Sequence, residues 1–174
     1  MDKGTVYFFT GLSGAGKTTI GGLFHRRLKA RKSNVVLLDG DLIRLVYCED
    51  IGYSDAGRRR GAFRSFRVCK MLSDQGIDVV ICSICMYHDV REWNRAHIDK
   101  YREIYIKVNK ETLYHRDQKG LYSAGIDVVG IDLPFEEPRH PDIVLINDGA
   151  ETPEDIVASL EETLWQDDRK GELS

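Results

Sequence analysis

Gly11-Leu12-Ser13-Gly14-Ala15-Gly16-Lys17-Thr18 has the residue types and spacing of a loop that holds a polyphosphate. Glycines let the backbone turn its N–H groups toward an anion, and the helix that starts near Lys17 adds its positive end. In such a loop Lys17 reaches the β- and γ-phosphates of ATP and Thr18 offers its hydroxyl to Mg²⁺, with Thr19 completing the loop. An apolar run precedes the motif and a helical pattern follows it, the context a phosphate loop requires. A glycine-rich turn without a ligand is the bland alternative, and that context weighs against it.

A second cluster supplies acids. Asp39-Gly40-Asp41 follows an apolar run directly, and ligands of an open α/β sheet bind beyond the carboxyl ends of its strands. One carboxylate there can accept the proton of an attacking hydroxyl, and either can orient Mg²⁺ or its waters. Asp41 is also placed to cap a helix beginning near Leu42, a role that does not exclude catalysis. Arg44 lies one helical turn beyond Asp41. Arg58, Arg59, Arg60, Arg64 and Arg67 follow, with Arg60, Arg64 and Arg67 spaced along one helix face. Part of that run reads as a solvated face. Guanidinium groups also suit bidentate contacts to phosphate or sulfate, so the cluster points to an anionic small substrate. Asp41, Lys17 and Asp39 are therefore the candidate catalytic residues, with Thr18 and Asp39 as candidate Mg²⁺ ligands.

Other chemistries find less support. A GTPase switch needs Asp-x-x-Gly after the third strand and an Asn-Lys-x-Asp base reader, and Asn109-Lys110-Glu111-Thr112 lacks the aspartate. Cys82-Ser83-Ile84-Cys85 is formally a redox or half-zinc motif, but Cys48 and Cys69 do not form a second pair, and two small residues ending a buried strand explain it. His25, His97, His115 and His140 show no ligand spacing and read as surface or helix-end residues; His88 reads as a helix start. Trp93 and Trp165 read as packing residues. A net charge of −3 argues against a nucleic-acid or membrane-surface partner. With no leader pattern, no apolar stretch near ~20 residues, and cysteines in apolar settings, a reduced, cytoplasmic protein is expected.

Those residues need a frame. Apolar runs at 6–9, 34–38, 77–84, 103–108 and 142–146 alternate with helical patterns at 18–31, 55–75, 88–100 and 111–116, and a last helix opens at Thr152-Pro153. The alternation predicts an α/β fold: a three-layer α/β/α sandwich of the P-loop kinase type with a mainly parallel sheet, formed by residues 1–174 as a single domain. The stretch at about 117–141 holds most of the prolines and many glycines and reads as a lid.

Together these blocks resemble the adenylyl-sulfate kinase family, from about Val6 to Leu145. The resemblance rests on Phe9-Thr10 with the phosphate loop, Leu38-Asp39-Gly40-Asp41 with Arg44, and Gly52-Tyr53-Ser54 with Arg58. It continues through Arg116-Asp117-Gln118-Lys119-Gly120-Leu121-Tyr122 and Gly130-Ile131-Asp132-Leu133-Pro134-Phe135-Glu136, with Pro138 and Pro141. It implies transfer of the γ-phosphate of ATP to the 3′-hydroxyl of adenosine 5′-phosphosulfate. It also implies Asp41 nearest that hydroxyl, Asp39 in the Mg²⁺ shell, and Arg116 against the adenine of ATP. Arg44, Tyr53, Arg58, Arg64, Ile84 and Lys119 would hold the acceptor, a lid would close over both substrates, and a homodimer is common in the family.

The departures gather on the acceptor side. Leu42 stands where the family has Asn, Gly61-Ala62-Phe63-Arg64 replaces Asn-Ile-Arg-Arg, and Ile84-Cys85-Met86-Tyr87 replaces Ile-Ser-Pro-Tyr. Val128-Val129 replaces Phe-Thr in a shortened lid, which removes stacking worth ~1–3 kcal/mol per base. Adenosine 5′-phosphosulfate is the first expected acceptor. A cytidine diphosphate derivative such as cytidine diphosphoramidate, used in surface-polysaccharide modification, is the alternative that a smaller stacking area suits. A sugar or other metabolite kinase and a non-catalytic nucleotide-binding module are the remaining readings.

Overall fold

The computed structural model describes residues 2–47, 52, 54–116 and 135–171. Its frame is one five-stranded sheet: β1 (Val6–Thr10), β2 (Val35–Asp39), β3 (Asp78–Cys82), β4 (Tyr101–Lys107) and β5 (Ile143–Ile146), in the order β2-β3-β1-β4-β5. Every pairing is parallel, with Val6 opposite both Val79 and Tyr101, and Leu38 opposite Ile81. Parallel strands are covered on both faces, so the central ones must be apolar throughout. β1 and β3 are buried at every position.

Strand alternation divides the core in two. Tyr7 and Phe9 face one side, packing with Phe24 and Leu28 of α1 (Lys17–Arg31) and with Val157 and Leu160 of the last helix, α6 (Pro153–Gly171). Val6 and Phe8 face the other, against Phe66 and Cys69 of α3 (Asp55–Ser73) and Val90 of α4 (His88–His97). The Phe8 and Phe66 rings meet edge to face, 4.8 Å apart. The sheet thus lies between two helical layers, as the alternation of elements predicts. Two shorter helices, α2 (Gly40–Tyr47) and α5 (Lys110–His115), lie at the strands' carboxyl edge.

Local chemistry sets the helix ends. Ser54 accepts a hydrogen bond from the Gly57 N–H, and Asn109 one from the Thr112 N–H at 2.7 Å. Thr152 and Asp155 cap α6 reciprocally, which is the role its opening residues suggest. After α3 the chain reverses at Gly76, whose φ of 80° favours glycine.

Two acids depart from the simple pattern. The run at 103–108 alternates in sequence, with Glu103, Tyr105 and Lys107 between Ile104, Ile106 and Val108, yet β4 begins at Tyr101 and is buried on both faces, Glu103 included. Its carboxylate is compensated from α4: Arg91 Nε lies 2.9 Å and Arg95 Nη2 3.1 Å away. Burial raises the Glu103 pKa, while these two guanidiniums pull it back. Asp78, in the run read as nearly all apolar, is buried where it accepts hydrogen bonds from the Thr5 N–H and Lys32 Nζ, each at 2.8 Å. Arg91 also donates to the carbonyls of Glu136 and Cys85, and Arg95 to that of His140. The described end of the expected lid, residues 135–141, is therefore bonded to the body of the fold.

His25 lies in the middle of α1, half-buried, rather than at the surface or a helix end, and burial lowers its pKa. The thiols of Cys82 and Cys85 are buried and their pKa values are pushed up by burial to about 12 and about 11. A thiol held protonated is a poor redox nucleophile, so the pair fits strand-end packing. Cys48 lies outside the described residues.

Candidate active site

The carboxyl ends of β1, β2 and β3 open into a cavity of about 600 Å³. Its floor is the loop between β1 and α1. Gly14 and Gly16 take φ of 74° and 94°, conformations that bring the chain round to the start of α1. Gly16 has a second constraint: a Cβ there would lie 2.6 Å from Asn147 Nδ2. Asn147, just past β5, is itself buried and donates from Nδ2 to the Ala15 carbonyl at 2.9 Å. Its Oδ1 accepts from Arg116 Nη2 at 3.4 Å. One amide thus joins the phosphate loop to the arginine at the end of α5. Sequence reasoning passed Asn147 over; its place directly after the last strand, opposite a glycine loop, was the available signal.

Ser13, Gly14, Gly16, Lys17, Thr18 and Thr19 of the candidate ATP loop line the cavity. Gly11, Leu12 and Ala15 form the turn behind them: Lys17 Nζ donates to the Leu12 carbonyl at 2.7 Å, and the Ala15 N–H to the same carbonyl at 3.2 Å. Arg116 lines the cavity as well, as do Glu151 and Pro153.

The two acids divide their tasks differently from expectation. α2 starts at Gly40, two residues before Leu42, so the capping position falls on Asp39 instead of Asp41. Asp39 Oδ1 accepts from the Asp41 N–H at 2.9 Å and the Leu42 N–H at 3.4 Å. Its Oδ2 accepts from Thr18 Oγ1 at 2.9 Å. Asp41 is exposed in the first turn of α2 and lines the cavity. The residue between them has to be small, because a Cβ on Gly40 would lie 2.7 Å from Ser83 Cβ.

A hydroxyl and a carboxylate oxygen side by side form the hard-oxygen donor pair that suits Mg²⁺, which usually keeps several waters and takes substrate phosphates as its other ligands. The residues present thus fit the ion.

Beyond Asp41, the cavity continues between α2 and α3. Arg44 and Arg58 line it, as do Tyr47, Gly61, Ala62 and Ser65. Ile84, Met86 and Tyr87 close the wall after β3. Tyr87 donates from its hydroxyl to Asp55 at 2.9 Å, which fixes the N-terminal turn of α3 to this wall. Arg64 is not among the lining residues. Its guanidinium lies over the Tyr47 ring at 6.0 Å, so it supports the wall from behind. Arg67 diverges toward Trp93 and Arg59 pairs with Asp89, which leaves Arg44 and Arg58 as the arginines of α2 and α3 lining the cavity. Tyr53 and Lys119 lie outside the described residues, as does the expected lid through residue 134.

The arrangement places a phosphate loop, two acids and two guanidiniums in sequence along one cavity, a layout able to hold two anionic molecules end to end. The model of the adenylylsulphate kinase family matches residues 3–146. The chain belongs to that family. Among its relatives in the family is the cytidine diphosphoramidate kinase of Campylobacter jejuni, 37% identical over 147 residues, covering 82% of this chain and 85% of the relative. The adenylyl-sulfate kinase of Picosynechococcus is 36% identical over 159 residues, covering 88% and 90%. The solved adenylyl-sulfate kinase of Mycobacterium tuberculosis, in complex with AMPPNP and APS, superposes with a TM-score of 0.85 at 29% identity, over 94% of this chain and 99% of that one. Family membership makes the chain an ATP-dependent phosphotransferase with a hydroxyl acceptor. Among the described residues, no helix is long and apolar enough to cross a membrane.

Proposed function

We propose that the chain transfers the γ-phosphate of ATP to the 3′-hydroxyl of a nucleotide whose 5′-phosphate carries a further group. The observation that carries this reading is the position of Asp41, lining one cavity with Lys17 and Thr18 on one side and Arg44 and Arg58 on the other. ATP lies along the phosphate loop, with its adenine toward Arg116 and its γ-phosphate at Lys17. Thr18 and Asp39 would hold Mg²⁺, whose chemistry when bound would be to offset the charge of the phosphates. Asp41 accepts the proton of the attacking hydroxyl as the new O–P bond forms and the bond to ADP breaks. Arg44 and Arg58 hold the acceptor's 5′ anion and so fix the hydroxyl near Asp41, which is how positioning lowers the barrier.

Two acceptors are consistent with this reading. Adenosine 5′-phosphosulfate is the acceptor that the shared motifs favour. A cytidine diphosphate derivative such as cytidine diphosphoramidate is supported by the small residues Gly61 and Ala62 lining the acceptor half of the cavity, where the resemblance expects an amide and a larger aliphatic. Coupled ADP release with ATP, Mg²⁺ and both acceptors, with the new phosphate located on the product, tests the proposal. Turnover with either acceptor, phosphorylated at the 3′ position, supports it. Turnover with simple sugars alone would overturn it.

A further inference from the structure

The cavity wall that follows β3 is formed by Cys82, Ser83, Ile84, Met86 and Tyr87. Most of these side chains have settled roles. Ile84 and Met86 carry no hydrogen-bond donor. Cys82 is buried in the core beside Phe9. The Tyr87 hydroxyl is given to Asp55. Ser83 remains. It is half-buried, and its hydroxyl makes no hydrogen bond among the described residues.

Strand register sets where that hydroxyl lies. Asp39 is opposite Cys82. Both turn to the α1 side of the sheet, where Asp39 meets Thr18 and Cys82 packs with Phe9. The Ser83 N–H donates to the Phe9 carbonyl at 3.1 Å, so the pairing runs one residue past β3. Alternation then turns the Ser83 side chain to the other side, that of α3. Gly61 and Ala62 of α3 line the cavity there. Ser83 also abuts Gly40, since a Cβ on Gly40 would lie 2.7 Å from Ser83 Cβ. It therefore stands beside the residue that joins the two acids, on the acceptor's side of them.

A nucleotide whose 3′-hydroxyl attacks at Asp41 carries its 2′-hydroxyl one carbon away. That second hydroxyl also leaves water when the acceptor enters, and it needs a partner of its own. A serine hydroxyl donates and accepts, so it matches another hydroxyl in either sense. We infer that Ser83 hydrogen-bonds the acceptor's 2′-hydroxyl and so selects ribonucleotides over 2′-deoxyribonucleotides. The inference rests on the kinase reading above and deepens it: Asp41 serves the hydroxyl that reacts, and Ser83 serves its neighbour. Ser83 is a specificity residue; it takes no part in breaking or forming a bond to phosphorus.

The test uses the full chain with ATP and Mg²⁺. The acceptors are adenosine 5′-phosphosulfate and cytidine diphosphoramidate, each paired with its 2′-deoxy analogue. ADP release is followed at varied acceptor and at varied ATP. The wild-type chain should favour the ribose form of its acceptor by about 3–10-fold in kcat/KM, the scale of one neutral hydrogen bond. Ser83→Ala should lower kcat/KM for the ribose form by that factor and leave the 2′-deoxy form within about twofold, so that the preference disappears. The KM for ATP should stay the same. Ser83→Ala removes a hydroxyl with no partner in the free chain, so its thermal unfolding should match the wild type. A side chain that only supported the wall would instead lose both forms alike when replaced. Equal use of the two forms by the wild type, or a Ser83→Ala variant with an unchanged ratio, would overturn the inference and leave the kinase reading standing. No ADP release with any of the four nucleotides would overturn both together.

Discussion

Thr18 Oγ1 donates to Asp39 Oδ2 at 2.9 Å, so the phosphate loop and the end of β2 meet at a single pair of oxygens. Asp39 also caps α2 through its other oxygen. Replacing it should therefore have two separable effects. Asp39→Ala is expected to raise the Mg²⁺ concentration needed for half-maximal rate, and to lower stability by ~1 kcal/mol through the lost cap. Magnesium titration and denaturant unfolding read the two effects independently.

Asp41 should behave differently, because it is exposed in the cavity and its side chain does not cap α2. Asp41→Asn should reduce kcat by ~10²–10⁴, the range for a lost general base. ATP affinity, measured by calorimetry, should be unchanged. An unchanged kcat would remove Asp41 from the proton-transfer role.

Asn147 holds the loop from the other side, through the Ala15 carbonyl. Asn147→Ala leaves that buried carbonyl without its partner, an expected loss of ~1–3 kcal/mol. It also releases Arg116 from its contact. The KM for ATP should rise while the KM for the acceptor holds, because the acceptor wall lies across the cavity. Initial-rate kinetics with each substrate varied in turn check this.

The Arg91–Glu103 pair is almost fully enclosed, with side-chain exposures of 5% and 2%. Removing one partner strands the other charge. Glu103→Ala should destabilise by ~3–5 kcal/mol, a loss typical of broken buried pairs. Because Arg91 also holds the Glu136 carbonyl, proteolysis after residue 135 should quicken in the variant. Thermal melts and limited digestion measure both.

Burial pushes the Cys69 and Cys82 thiols up to about 12 and that of Cys85 up to about 11. The sign is plain: below pH 9 these groups stay protonated, and the thiolate is the species that alkylates. Iodoacetamide at pH 8 should label them slowly in the folded chain and rapidly in denaturant, as mass mapping would show.

Much of this was legible in the residues. Parallel strands buried on both faces must be apolar, so Val6–Phe9 and the run at 77–84 announced themselves, and the glycines with Lys17 and Thr18 fixed the loop between β1 and α1. What escaped was long-range. Glu103 looks like the polar half of an alternating strand until Arg91 and Arg95 arrive from α4. Arg64 looks like its neighbours Arg60 and Arg67, and only packing shows it turned onto Tyr47. Asn147 has only its place after the last strand to mark it, since its partners lie 31 and 132 positions away. The helix cap passed from Asp41 to Asp39 because element boundaries drift by one or two residues, enough to change which acid bonds the backbone.

Gly40 has no room for a Cβ against Ser83, and that bears on how such a protein can change over time. The residue between the two acids is held small by contact with the end of the neighbouring strand, so a larger one there must displace Ser83. Tyr47, Gly61, Ala62 and Ser65 stand on helix faces at the far end of the same cavity, where a side chain can be exchanged without moving a strand. The acid pair and the acceptor half of the cavity therefore stand under different steric constraint, and side chains in the second can be altered while the first is left untouched.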